Sequence, residues 1–148
     1  MAAPTADLWF SFIRAHRNLI REIERRLADQ GLPVYAWYDA LWGIESGPDG
    51  CRRMQELADV MAIERYNLTR LVDRLEAEGH VVRKKVAGDG RGALACITDS
   101  GKALRKRMWA VYKQAVDELF LSQFTPEQQA LFAQALEQSS FKARASFA

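Results

Sequence analysis

Apolar residues recur along this chain at two different periods, and the change of period marks out its elements. Over residues 7–28, Leu8, Phe12, Leu19, Ile23 and Leu27 fall close to helical spacing and predict a long amphipathic helix. Gly31-Leu32-Pro33 stops it. A second helix fits residues 34–45, with Tyr38, Leu41 and Trp42 at i, i+3 and i+4, and Ser46-Gly47-Pro48-Asp49-Gly50 breaks the chain. Residues 53–61 read as a short helix with Met54, Leu57 and Ala58 on one face, and Ala62-Ile63 as a tight joint. Residues 64–78 form a further helix, whose Leu68, Leu71, Val72 and Leu75 make an apolar stripe. Gly79 stands where a C-terminal cap belongs.

The period then shortens. Residues 80–87 and 93–97 are short and rich in Val and Ile, and Gly88-Asp89-Gly90-Arg91-Gly92 lies between them, which predicts a β-hairpin with a Gly-rich tip. Residues 100–121 return to helix, with Leu104, Met108, Val111, Ala115 and Leu119 apolar. Thr125-Pro126-Glu127-Gln128 opens a last helix: Thr125 suits the N-cap, Pro126 the first helical position, and Gln128 completes a capping box. The order is helix, helix, short helix, helix, hairpin, helix, helix. The fold class is therefore mainly α with a small β-hairpin wing, a winged helix-turn-helix at residues 51–97 between long flanking helices.

Composition narrows the class without deciding it. The chain has 148 residues, enough for a real core, and 49% hydrophobic and 27% charged residues are ordinary for a globular protein. No apolar stretch reaches the roughly 18 residues of a membrane helix. The first eight residues lack a basic region followed by an apolar run, so no signal peptide is expected and the default compartment is the cytoplasm. The formal net charge is only +2, but its distribution is uneven: Arg83-Lys84-Lys85 and Arg105-Lys106-Arg107 cluster, and Arg14, Arg17, Arg21, Arg25 and Arg26 stud the first helix.

The helix at residues 64–78 can serve as a reading head for duplex DNA. With its apolar stripe inward, about 100° per residue turns Tyr66, Thr69, Arg70 and Asp73 outward, flanked by Asn67 and Arg74. Arginine can bridge guanine O6 and N7, and asparagine adenine N6 and N7. Tyr66 and Thr69 can reach phosphates or a thymine methyl, and Arg65 lies in the first turn, where helix ends approach the groove. A polar outer face is also what any surface helix carries, so this helix by itself fits both readings. The hairpin favours DNA. Arg91 at its tip suits a minor groove, Asp89 can orient that guanidinium, and Arg83, Lys84 and Lys85 suit phosphates, although strand alternation keeps the three from sharing one side.

These residues resemble the MarR family, the multiple-antibiotic-resistance regulators. The resemblance rests on Asp89-Gly90-Arg91 followed by a short strand and Ile97-Thr98-Asp99-Ser100-Gly101, and on Leu68-Thr69-Arg70-Leu71-Val72-Asp73-Arg74-Leu75-Glu76-Ala77-Glu78-Gly79 before the strand Val81-Val82. It implies one domain over residues 1–148, with 1–48 and 99–148 mainly dimerisation helices and 51–98 the DNA-binding lobe. It implies a homodimer on a pseudo-palindromic operator of double-stranded DNA. The apolar Phe120, Leu121, Phe124, Phe132, Phe141 and Phe147 agree with such an interface. The chain departs from the family at Ala62, where the turn usually has Gly, at Glu64, where a Ser or Thr cap is usual, and at Tyr66, where the residue is usually small. The operator sequence is where these changes act.

The resemblance also implies a site for a small aromatic or phenolic anion, releasing a repressor from DNA. His16, Arg17, Trp37, Tyr38 and Trp42 are the residues that would approach it, although aromatics at helical spacing serve equally as core. Nothing points to an enzyme or a cofactor: His16 and His80 begin no metal or triad pattern, and no phosphate-loop or metalloprotease motif occurs. Cys51 and Cys96 are too few for a disulfide scaffold and read as two half-buried thiols or as a redox-sensing pair. Only Arg52 and Arg53 adjoin Cys51, and the family's oxidation sensors carry their reactive cysteine near the N-terminal helices instead. A winged helix used for protein–protein contact is the other class, and it has no need of Arg70, Asp89 and Arg91 together.

Overall fold

The computed structural model describes residues 4–86 and 92–146, with side chains from Asp7 onward. Helices α1 (Pro4–Asp29) and α2 (Tyr35–Glu45) precede strand β1 (Cys51–Arg53). Helices α3 (Met54–Met61) and α4 (Arg65–Ala77), strands β2 (Val81–Lys85) and β3 (Ala93–Ile97), and helices α5 (Asp99–Leu119) and α6 (Pro126–Ala145) follow. Two compact units divide the chain, Met1–Tyr112 and Lys113–Ala148.

In the first unit, the apolar stripes converge on one core. Leu41 and Ile44 of α2, Leu57 of α3, Leu68, Val72 and Leu75 of α4, and Val81 of β2 are buried, as is Met108 of α5. Each such side chain contributes about 1.5–3 kcal/mol on burial. Gly43 lets α2 and α3 approach: a Cβ there would stand 2.7 Å from Leu57 Cδ1. The joint between α3 and α4 closes at Ala62, which takes the left-handed conformation (φ 55°, ψ 44°). That is the role a glycine would fill without its Cβ penalty, so this departure from the family pattern leaves the turn geometry intact.

The sheet runs β1-β3-β2 and is antiparallel throughout. The hairpin β2–β3 is the predicted wing. Strand β1 was not expected: the sequence reading passes from the break at residues 46–50 straight into helix. Three residues are too few to show an alternating period, and β1 exists because Cys51, Arg52 and Arg53 pair with Cys96, Ala95 and Leu94, more than forty positions away. The same pairing corrects the reading of the cysteines. Cys51 and Cys96 are not two thiols but one disulfide, spanning a sequence separation of 45.

Behind the wing, Thr98 joins three elements. Its Oγ1 donates to the Gly79 carbonyl (2.7 Å) and accepts from Gly101 N (3.1 Å), while its own N–H donates to the His80 carbonyl (3.1 Å). The side chain therefore caps α5 while locking the start of β2. Gly101 is buried against the same carbonyl; a Cβ there would lie 2.2 Å from His80 O. The Ile97-Thr98-Asp99-Ser100-Gly101 motif thus has a packing cause.

In the second unit, α6 begins with the predicted capping box. Gln128 N donates to Thr125 Oγ1 (3.1 Å) and Thr125 N to Gln128 Oε1 (3.0 Å). Phe124 stacks edge-on with Phe120 (5.2 Å) and with Phe132 (5.1 Å).

Candidate nucleic-acid interface

Helix α4 presents two faces, as its stripe requires. Leu68, Val72 and Leu75 point into the core, and Arg65, Tyr66, Asn67, Thr69, Arg70, Asp73 and Arg74 are all exposed. No acidic residue lies within the first helical turn, and Glu64, the N-cap position, makes no side-chain cap bond. Thr69 Oγ1 donates back to the Arg65 carbonyl (2.9 Å), which fixes the hydroxyl against the helix and turns its methyl outward. Arg70 lies over Tyr66: its Cζ is 5.6 Å from the ring centroid, and Nη1 donates to the Tyr66 hydroxyl (3.3 Å). The bulky Tyr66 therefore holds an arginine in place on the outer face.

Strand β2 separates the three basic residues that the sequence grouped together. Lys84 and Lys85 are exposed. Arg83 is engaged internally: its backbone N–H and Nη1 donate to the two carboxylate oxygens of Glu76 (2.9 and 2.8 Å), and Nη2 meets Asp73 Oδ1 (2.7 Å) and the Thr69 carbonyl (3.3 Å). This network binds the wing to α4. Asp89 and Arg91 at the hairpin tip lie outside the described residues.

Where the starts of α3 and α4 meet the first residues of β3, a cleft of about 250 Å³ opens. Arg53, Met54, Gln55, Arg65, Leu68, Thr69, Gly92 and Ala93 line it. Among the described residues, two guanidiniums and no carboxylate border it, which favours an anion over a cation. The sequence gives no sign of Arg53 or Gln55 as site residues; Arg53 ends β1 and Gln55 follows it, so the pairing of β1 brings both to the wing. Arg52, one residue earlier, instead holds β1 to α2, with Nε donating to the Gly43 carbonyl (2.6 Å) and Nη2 to Ser46 Oγ (3.2 Å).

Of the five residues expected around an aromatic anion, only Tyr38 is buried. Its ring lies nearly parallel to Trp109 (5.7 Å, 14°) and 4.9 Å from Tyr112, and Tyr35 meets Tyr112 through their hydroxyls (3.4 Å). Burial pushes the Tyr35 and Tyr38 phenols up from their ordinary range, so both stay neutral. Trp37 is half-buried, edge-on to His80 (6.1 Å), while His16, Arg17 and Trp42 are exposed. Tyr38 is thus a member of an aromatic core cluster.

Residues 30–92, which carry this helix pair and most of the wing, match the model of the MarR family. Over these residues the chain is similar to the MarR family, whose members are transcription regulators that bind DNA, not enzymes. It is similar to the HTH-type transcriptional regulator SarZ of Staphylococcus aureus, 26% identical over 79% of this chain and 77% of that protein. The transcriptional activatory protein BadR of Rhodopseudomonas palustris is 30% identical over 72% of this chain and 59% of its own length. Among solved structures, Sco3205 of Streptomyces coelicolor, a MarR family transcriptional regulator in complex with DNA, superposes with a TM-score of 0.87. Its sequence is 29% identical, with 95% of this chain and 88% of that one covered. Among the described residues, no helix is long and apolar enough to cross a membrane.

Proposed function

We propose that this chain is a MarR-family regulator, a cytoplasmic homodimer that binds a pseudo-palindromic operator sequence-specifically, as a repressor released by a small aromatic or phenolic anion. The observation that carries the DNA reading is α4: a buried apolar stripe fixes it to the lobe, and its opposite face presents Arg65, Tyr66, Asn67, Thr69, Arg70 and Arg74 to solvent. An arginine held over Tyr66 has its guanidinium fork preset for guanine, and Asn67 on the same face suits adenine. Lys84 and Lys85 add phosphate neutralisation, and Arg91 with Asp89 would enter the adjacent minor groove. The DNA complex of Sco3205 supports the same use of this lobe.

Two exposed apolar faces support the homodimer. On α1, Leu8, Trp9, Phe10 and Phe12 are exposed, and on α6 so are Leu131, Phe132, Leu136 and Phe141. Stripes of this kind mark association surfaces. A two-fold dimer places its two α4 helices in successive major grooves about 34 Å apart. For the anion, His16 and Arg17 would supply polar or charged groups and Trp37, Tyr38 and Trp42 aromatic surface.

The test is a fluorescence-anisotropy titration on the duplex upstream of the protein's own gene, with a scrambled duplex as control. One dimer per palindrome, a steep loss of affinity with salt, and release by an aromatic carboxylate support the reading. Equal affinity for both duplexes counts against sequence-specific regulation, and a monomer by light scattering counts against the dimer.

A further inference from the structure

We infer that the Cys51–Cys96 bond is a thiol–disulfide exchange site that sets the affinity of the lobe for DNA, the oxidised form being the tighter binder. This rests on the DNA-binding reading above and adds a regulator to it: a cellular thiol, with its disulfide as the oxidant in reverse.

The position of the bond carries the argument. It joins directly opposed residues of β1 and β3, so it ties the strand that leads into α3 to the returning strand of the wing. Everything that faces DNA lies between the two cysteines: α3, α4 and the β2–β3 hairpin. Strand β1 is an edge strand with three paired residues, and a ladder that short is weak without support. The Arg52 guanidinium on the Gly43 carbonyl and Ser46 Oγ also ties it to α2. The cleft is bordered on one side by Arg53 and Gln55, just after Cys51, and on the other by Gly92 and Ala93, just before Cys96. The crosslink therefore fixes the spacing of its two walls. A lobe whose DNA-facing groups are already ordered loses less freedom on binding.

The chemistry balances with a thiol as reductant. Cys51 is half-buried while Cys96 is 4% exposed, so the incoming thiolate attacks Cys51 Sγ. The Sγ–Sγ bond breaks, Cys96 leaves as thiolate and takes up a proton, and Cys51 carries a mixed disulfide. A second thiol attacks the outer sulfur of that mixed disulfide. It releases the Cys51 thiolate, which is protonated in turn, and the two electrons reside in the cysteine pair while the reductant departs as its own disulfide. In thiol-reduced surroundings a disulfide of this kind is transient and reports redox state.

Linkage makes the effect measurable from both ends: if oxidation tightens DNA binding tenfold, DNA makes the bond tenfold harder to reduce. The experiment equilibrates the full chain in glutathione buffers of stepped ratio, with and without operator duplex. Alkylation mass spectrometry gives the fraction of disulfide, and anisotropy gives Kd. The expected result is a reversible couple, about tenfold weaker operator binding on reduction, and a midpoint about 30 mV more negative with DNA bound. The double variant Cys51→Ser with Cys96→Ser should bind like the reduced protein in every buffer, with circular dichroism checking its fold. Equal Kd in both states, tighter binding on reduction, or thiols that never pair under oxidised glutathione overturns the switch while leaving the DNA-binding reading standing. If neither form binds any duplex, that reading falls and the switch falls with it.

Discussion

Arg83 and Glu76 are joined twice, through the Arg83 backbone N–H (2.9 Å) and through its guanidinium (2.8 Å), so that β2 and α4 move as one piece. The side chains are 25% and 39% exposed, so solvent screens the pair only in part. Arg83→Ala should cost about 1–2 kcal/mol in urea denaturation. Because the guanidinium is engaged within the protein, the slope of log Kd against log salt should stay unchanged. Lys84→Ala, by contrast, should leave stability alone and lower that slope by about 1 if Lys84 meets a phosphate. A reversed pattern would make Arg83 the phosphate contact and remove its structural role.

Tyr66 and Arg70 are in contact on the exposed α4 face. Arg70→Lys keeps the charge but loses the planar fork, and should weaken operator binding by about 1–3 kcal/mol. Tyr66→Phe keeps the ring beneath the guanidinium and should cost much less than Tyr66→Ala. Binding titrations on the operator and on single-base variants check this. If Tyr66→Ala leaves both affinity and base preference unchanged, the ring does not orient Arg70.

Gly101→Ala should destabilise the first unit by about 1–3 kcal/mol, since its Cβ would drive into the His80 carbonyl and Ile97. Backbone cannot yield as a flexible side chain does, so the strain should reach the Thr98 hydrogen bonds at the start of α5. A lowered Tm together with faster amide exchange at His80 and Thr98 is the expected result. An unchanged Tm would show that the α5 start can shift freely.

On α1, hydrogen bonds from Arg25 and then Arg26 hold the Glu22 carboxyl down to about 2, from an ordinary 4.5. A carboxyl with a folded value below its unfolded one stabilises the fold above the unfolded value, and that contribution is lost as pH falls through the folded one. Helicity followed by circular dichroism should therefore lose an increment between about pH 4.5 and 2, and Glu22→Gln should remove that increment. Arg25 is exposed and Glu22 and Arg26 only partly buried, so salt should shrink it as well. An identical acid transition in the variant would assign the change to other carboxyls.

Much of this protein was legible as sequence because it is local. Periods of 3.6 and 2 placed the six α-helices described and both wing strands to within a few residues, and Thr125 to Gln128 spelled out the cap of α6. The outward face of α4 followed from the inward stripe by rotation alone. The family resemblance drew on the same local strings, and Gly101 and Thr98 within them proved to mark a close backbone approach.

What only the tertiary structure decided are meetings between residues far apart in the chain. Strand β1 is defined by its partner rather than by its own three residues, and the disulfide follows from that pairing. Tyr38 is a core residue because α5 brings Trp109 and Tyr112 to it, and Arg83 is paired within the protein because α4 places Glu76 and Asp73 within its reach. The reason is physical: periodicity reports which face of an element is apolar, but which charges and sulfurs meet depends on how those faces pack. A sequence alone therefore places α4 and the wing, while the Arg83–Glu76 pair, the aromatic cluster and the crosslink belong to the folded molecule.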